Sequence, residues 1–195
     1  LGGLPVEKGV REALEQSLKR FEAIGCIIEE AEPDLGISDN AFRVLRALNL
    51  VTTLGNHYKH NRALMKDAAV WNVEQGLALT GAQIAEAQMQ QSKCFERMQR
   101  FLKRYDYFLC PVNQVLPFDV NTPYPTEIDG TKLETYLDWM KSAGRITMTS
   151  HPAASAPVAF SASGLPVGMQ IVGHFGCELE VLQLVHAVEL PLSER

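Results

Sequence analysis

The stretch "SGLPVGMQIVG", residues 163–173, carries the most structural information in the chain. Gly164 and Pro166 punctuate a turn, and Val167, Met169, Ile171 and Val172 then form an uncharged apolar run that closes at Gly173. Such a run between turn residues reads as a buried β-strand. Upstream, "HPAASAPVAF" (151–160) reads as a second strand joined to the first by a Ser/Gly turn. Downstream, Leu179, Leu182, Val185, Val188 and Leu190 recur at helical spacing and predict a closing helix.

Further upstream the pattern alternates helix and strand. Val6, Val10, Leu14, Leu18 and Phe21 make one apolar stripe, with Pro5 at the first helical position and Gly25 as the C-cap. Cys26 to Ile28 reads as a short strand stopped by Pro33. Ser38 or Asp39 caps a second helix that faces Phe42, Leu45, Leu48 and Leu54 inward, and "DAAVWNVEQGLAL" carries a short third. Thr80 with Gln83 forms a capping box for a long helix reaching about Arg104. "YDYFLCPV" (105–112) is a buried strand ended by Pro111, residues 113–130 form a Pro-rich loop, and Leu133, Tyr136, Leu137 and Met140 predict a helix over 131–143.

Composition narrows the function classes. The 195 residues are 46% hydrophobic and 21% charged, which suits a globular unit with its own core. The formal net charge of -5 gives no basic footprint for a phosphate backbone, so no nucleic-acid partner is expected, and the Arg97, Arg100, Lys103, Arg104 cluster reads as a solvated helix face. No apolar run approaches the ~20 residues that span a bilayer, so no membrane partner is expected and the location is read as cytoplasmic. Cys26, Cys94, Cys110 and Cys177 show no C-x-x-C pairing and read as reduced thiols, Cys110 as buried and inert. His57 and His60 lack a third ligand at diagnostic spacing, so no metal and no cofactor is called for. Residue 1 is Leu rather than Met and the opening "LGGLP" is turn-like, so the sequence is read as cut from something longer.

Three motifs together carry a resemblance. Asp106 and Pro111 fit a strand "D-x-hydrophobic-x-x-P"; Pro152, Ala153, Ser155 and Pro157 fit "G-x-P-A-x-S-x-P"; and Gly164 through Gly173 fit "G-L-P-V-G-x-Q-hydrophobic-hydrophobic-G". The series resembles the C-terminal half of the amidase signature family, and "GGLPVEKGVREALEQSLKRFEAIGCIIEEAEPDL" extends the likeness to most of the chain. The resemblance implies an α/β fold, a mixed β-sheet flanked by helices, with residues 1–195 as the C-terminal segment of a single domain. It also implies hydrolysis of a small-molecule amide by a Ser nucleophile, a second Ser and a Lys base, the serines carried on a loop read as "G-G-S-S-G-G-S".

No Ser-Ser pair or Gly-rich serine loop occurs here, so no catalytic residue is assigned and the segment alone is expected to be inactive. What it offers is pocket wall. Phe118 and Tyr124 in the 113–130 loop, Trp139 on the following element and His151, before Pro152 where the family commonly carries Gly or another small residue, are the candidate substrate-binding residues. The other reading is a noncatalytic interaction module derived from the same fold. An exposed sheet edge would then invite a covering contact, a homodimer in the simplest case.

Overall fold

The computed structural model describes residues 1–189. Its centre is a three-stranded antiparallel sheet of β1 (Phe108–Pro111), β4 (Ala153–Phe160) and β5 (Pro166–Val172), in the order β1-β5-β4. A small hairpin, β2 (Glu127–Ile128) and β3 (Thr131–Lys132), lies apart from it. The helices are α1 (Lys8–Ala23), α2 (Ser38–Asn61), α3 (Asp67–Leu77), α4 (Gly81–Leu102), α5 (Lys141–Thr147) and α6 (Glu178–Val188). None of the helices among the described residues is long and apolar enough to cross a membrane.

The alternation along β5 separates two cores. Val167, Met169 and Ile171 face Val10, Leu14 and Phe21 of α1 and Val181 and Val188 of α6. Val172, with Phe108 and Cys110, faces Ala41 of α2, Cys94, Met98 and Leu102 of α4, and Ile146 of α5. Each fully buried side chain of this kind contributes about 1.5–3 kcal/mol through removal from water. Helices cover both faces of the sheet, the α/β arrangement expected from the sequence. The capping box of α4 is present, Gln83 N–H donating to Thr80 Oγ1 and Thr80 N–H to Gln83 Oε1 at 2.9 Å.

Several local expectations are corrected. Cys26–Ile28 joins no ladder and Ile27 is 90% exposed, because no strand among the described residues lies beside it. Ser38 does not cap α2; it is the first helical residue and its hydroxyl donates back to the Leu35 carbonyl at 2.6 Å. Pro5 precedes α1, whose first residue is Lys8. The helix expected over 131–143 is instead a hairpin strand, a loop and a 3-10 turn, Asp138–Met140, leading into α5. Its apolar pattern mimics the 3.6 period, but the turn at Asp129 and Gly130, both at positive φ, folds the chain back at once.

On α6 the buried stripe is Val181, Leu184, Val185 and Val188, while Leu179 and Leu182 point outward. The choice is made below the helix. Gly173 has no Cβ, and the space one would occupy holds the Val181 side chain. Leu190 lies outside the described residues.

Two backbone positions generate testable consequences. A Cβ on Gly76 of α3 would fall against the Ala47 carbonyl and Val51 of α2, so Gly76→Ala is expected to cost at least about 1–3 kcal/mol by forcing the helices apart. Ser150, after α5, has φ +56°, the left-handed region that favours Gly. Ser150 also stands at the Gly position of the "G-x-P-A" motif, which corrects the assignment of that position to His151. Ser150→Gly is therefore expected to change stability in the opposite direction to Gly76→Ala, by up to about 1 kcal/mol. Urea unfolding of both variants checks the pair.

Candidate active-site wall

β1 stops at Pro111, which cannot donate to the ladder, and the chain turns out of the sheet. Val112 N–H still reaches the Gly168 carbonyl at 3.3 Å, and the Val112 carbonyl accepts from Ser142 Oγ at 2.7 Å. Gln114 follows, with no exposed surface. Its side-chain Nε2 donates to the Pro5 carbonyl at 2.9 Å, and its Oε1 accepts from Ser142 N–H at 3.2 Å. Its backbone carbonyl accepts from Glu7 N–H at 2.8 Å, and its own N–H reaches the Trp139 carbonyl at 3.4 Å. One residue thus ties together the approach to α1, the loop and the start of α5.

The loop beyond is clamped to α1. The Glu7 carboxylate accepts from Leu116 N–H at 2.8 Å, and Arg11 pairs with Asp129 at 3.2 Å while also donating to the Val6 carbonyl. Asp138 accepts from the N–H groups of Glu134 and Thr135 and pairs with Lys141 at 2.7 Å. Burial opposes its charge, but Lys141 and the Thr135 donors prevail and hold the carboxyl below its ordinary value. The 3-10 turn that carries Trp139 is fixed by these contacts.

Phe118 and Trp139 meet edge to face, ring centroids 5.5 Å apart at 87°. They line a cavity of about 340 Å³ with Val10, Val112, Leu116 and Val167, and Asn113 is its one side-chain amide. The cavity opens where β1 ends and β5 begins. A mostly apolar concavity with a single polar group suits an apolar portion of a small molecule.

The other two candidates sit elsewhere. Tyr124 packs on Tyr136 at 6.3 Å, and the Tyr136 hydroxyl accepts from Arg46 at 3.0 Å and from Asn72 Nδ2, so this ring belongs with α2 and α3 and does not line the cavity. His151 precedes Ala153, which pairs with Val172, whereas the cavity holds Pro166 and Val167. The two ends are six residue steps of β5 apart, about 20 Å. The structure therefore brings Phe118 and Trp139 together and separates both from His151, contrary to its expected place in the substrate-binding set.

His151 is buried between Phe95, at 5.1 Å, and Phe175, at 6.1 Å. Its Nδ1 lies 2.7 Å from the Thr149 carbonyl, so the proton is assigned there, and Nε2 is buried without a partner. Burial pushes its pKa below the ordinary imidazole value. Cys110 is buried beside the Gln170 amide, and desolvation pushes its thiol up to about 12, which makes it an inert core residue. Ser161 and Ser163 hydroxyls lie 2.9 Å apart, and Ser161 Oγ also accepts from Leu165 N–H; these bonds shape the β4–β5 turn.

Gln114 is absent from the residues that sequence patterns single out. Its signal is a lone amide in the otherwise apolar "CPVNQVLP", which periodicity does not distinguish from a loop residue.

The motif series and this architecture agree with what is known of other proteins. A match to the family described as Amidase covers residues 2–182. An acylamidase from Rhodococcus erythropolis is 25% identical over 173 residues, 86% of this chain and 35% of its own length. A glutamyl-tRNA(Gln) amidotransferase polypeptide from Alkaliphilus metalliredigens is 24% identical, over 98% of this chain and 42% of its length. A solved amidase structure superposes with a TM-score of 0.83 at 20% identity, over 93% of this chain and 42% of that one. The chain belongs to the amidase family, and it spans less than half the length of these relatives.

Two outcomes are expected from this geometry. Gln114→Leu leaves the Pro5 carbonyl and Ser142 N–H without partners, at about 1–3 kcal/mol for each buried group, and should lower the urea midpoint accordingly. For His151 the folded state disfavours the proton that the unfolded state accepts near pH 6.5, so its contribution is complete above that value and declines as pH falls through it. Stability measured from pH 7.5 to 5 should fall less steeply in His151→Gln than in the parent chain.

Proposed function

We propose that the intact amidase containing this chain hydrolyses the carbon–nitrogen bond of a small-molecule amide. These residues supply the sheet and one apolar wall of the substrate pocket. The observation that carries this reading is the Phe118–Trp139 pair over an apolar cavity at the end of β1, in a chain whose family is that of the amidases. Phe118 and Trp139 are assigned to the substrate; Tyr124 is assigned to the outer loop contact, and His151 to packing at the far end of the sheet.

The reaction needs groups that this sequence does not carry. A serine hydroxyl adds to the amide carbonyl and gives its proton to a lysine base. Backbone N–H donors hold the oxyanion, the amine leaves with a proton, and water releases the acyl group. The Ser-Ser-Lys set is placed in the part of the amidase fold that the chain does not span. Ser161 and Ser163, spent on a turn, are not candidates.

An anilide-hydrolysis assay with fluorophosphonate labelling tests this reading. The 195-residue chain alone should show neither turnover nor labelling, and either one would overturn the placement of the nucleophile. In the intact enzyme, Phe118→Ala and Trp139→Ala should each raise KM about tenfold with a smaller effect on kcat, as loss of apolar substrate contact requires. An intact protein without turnover would favour the noncatalytic module instead.

A further inference from the structure

β1 is hydrogen-bonded on its β5 side alone, so its outer edge of Phe108, Leu109 and Cys110 presents unpaired backbone groups. Across a groove of about 530 Å³ from that edge runs Ile27–Ala31, part of the segment whose residues predict a strand but which pairs with nothing among the described residues. Leu14 and Leu18 of α1 line one side of the groove, and Phe101 of α4 contributes to another. Glu29 accepts from the Tyr105 hydroxyl at 3.1 Å and from Arg104 at 3.3 Å, which tethers the segment to the turn before β1 and keeps the groove open between them.

The opposite edge of the sheet differs. β4 carries Pro157 and a register irregularity between Pro157 and Ala159, two devices that blunt an edge against pairing. β1 has a proline only at its last residue, and no lysine. Meanwhile Ile27, a strand-forming residue, stands 90% exposed at the groove. An unpaired strand edge on one side, a strand-forming sequence on the other and helices above and below make the geometry of a sheet position waiting to be filled.

We propose that this groove is a slot for one apolar β-strand, which pairs with β1 on one side and with Cys26–Glu30 on the other. The occupant comes from amidase polypeptide that these residues do not span, since the relatives run to more than twice the length matched here. A strand buried on both faces requires a nearly continuous Val/Ile/Leu run, and that is the chemistry of the partner. Filling the slot would extend the three-stranded sheet by two strands and bury Ile27, Leu109 and the groove's apolar walls. The slot is separate from the Phe118–Trp139 cavity, so its failure would leave the amide-hydrolysis reading untouched.

Amide hydrogen exchange on the isotopically labelled 195-residue chain tests the slot, with the peptide acetyl-Lys-Val-Ile-Val-Ile-Lys-amide as the probe. At millimolar peptide, exchange should slow at least about tenfold both at Phe108–Cys110 and at Cys26–Glu30, with no change along β4. Ile28→Lys, which places a charge in the groove, should abolish the effect while leaving the far-ultraviolet spectrum unchanged. Protection of β1 without Cys26–Glu30, protection along β4, or no protection at all would overturn the proposal. So would a dimer in light scattering whose β1 amides are already protected without peptide, because the occupant would then be a second copy.

Discussion

β5 is the element on which the other contacts depend. It pairs with β1 on one side and β4 on the other, and it is covered on both faces. Every residue from Val167 to Val172 must therefore satisfy a ladder and a helix layer at once. Gly168 has no room for a side chain between Ser155 and Val112, and Gly173 admits Val181 of α6. Gln170 is the one long polar side chain on the strand, and its Nε2 donates to the Pro111 carbonyl at 3.1 Å, fixing β1 at the point where it leaves the sheet. Had any of these residues been one register step away, the Met169 and Ile171 side chains would face α4 instead of α1.

From that point the pocket wall is assembled by hydrogen bonds, not by apolar packing. Gln114 joins three segments that are distant in sequence, Pro5–Glu7, the loop, and Trp139–Ser142. Because it has no contact with water, each of its bonds is made in a medium where an unmade one is expensive. Phe118 and Trp139 meet over the cavity as a result of this buried amide and of the Glu7 and Arg11 clamps. The loop is long, yet it is attached along its length, which is how a variable surface segment can present a defined wall.

The legible parts of the chain are those where local chemistry and tertiary need coincide. The Thr80–Gln83 box, the β4–β5 pair and the α1 stripe each follow from residues close in sequence, and they appear as expected. The illegible parts are those where a second body intervenes. Leu179 and Leu182 make as good a helical stripe as Val181, Leu184 and Val188, and only the Gly173 gap selects between them. Cys26–Ile28 has strand chemistry but no ladder partner, and a strand is a pairwise object. Among the candidate site residues, Phe118 and Trp139 stand out by their loop and aromatic character, while Tyr124 and His151 stand out on similar grounds and lie elsewhere.

Local sequence suffices to specify an α/β chain with a central strand at 166–172, an adjacent strand ending at Phe160 and an amidase-like motif series, because alternation, turn residues and spacing are local quantities. Three-dimensional packing was needed to settle which aromatic rings share a cavity, that His151 stands about 20 Å from them, and that Gln114 is the tie between the segments that carry them. The physical reason lies in reach. The hydrogen bond from Gln114 to Pro5 spans 109 residues of chain, and no periodicity in one dimension records which distant backbone carbonyl a buried amide will meet.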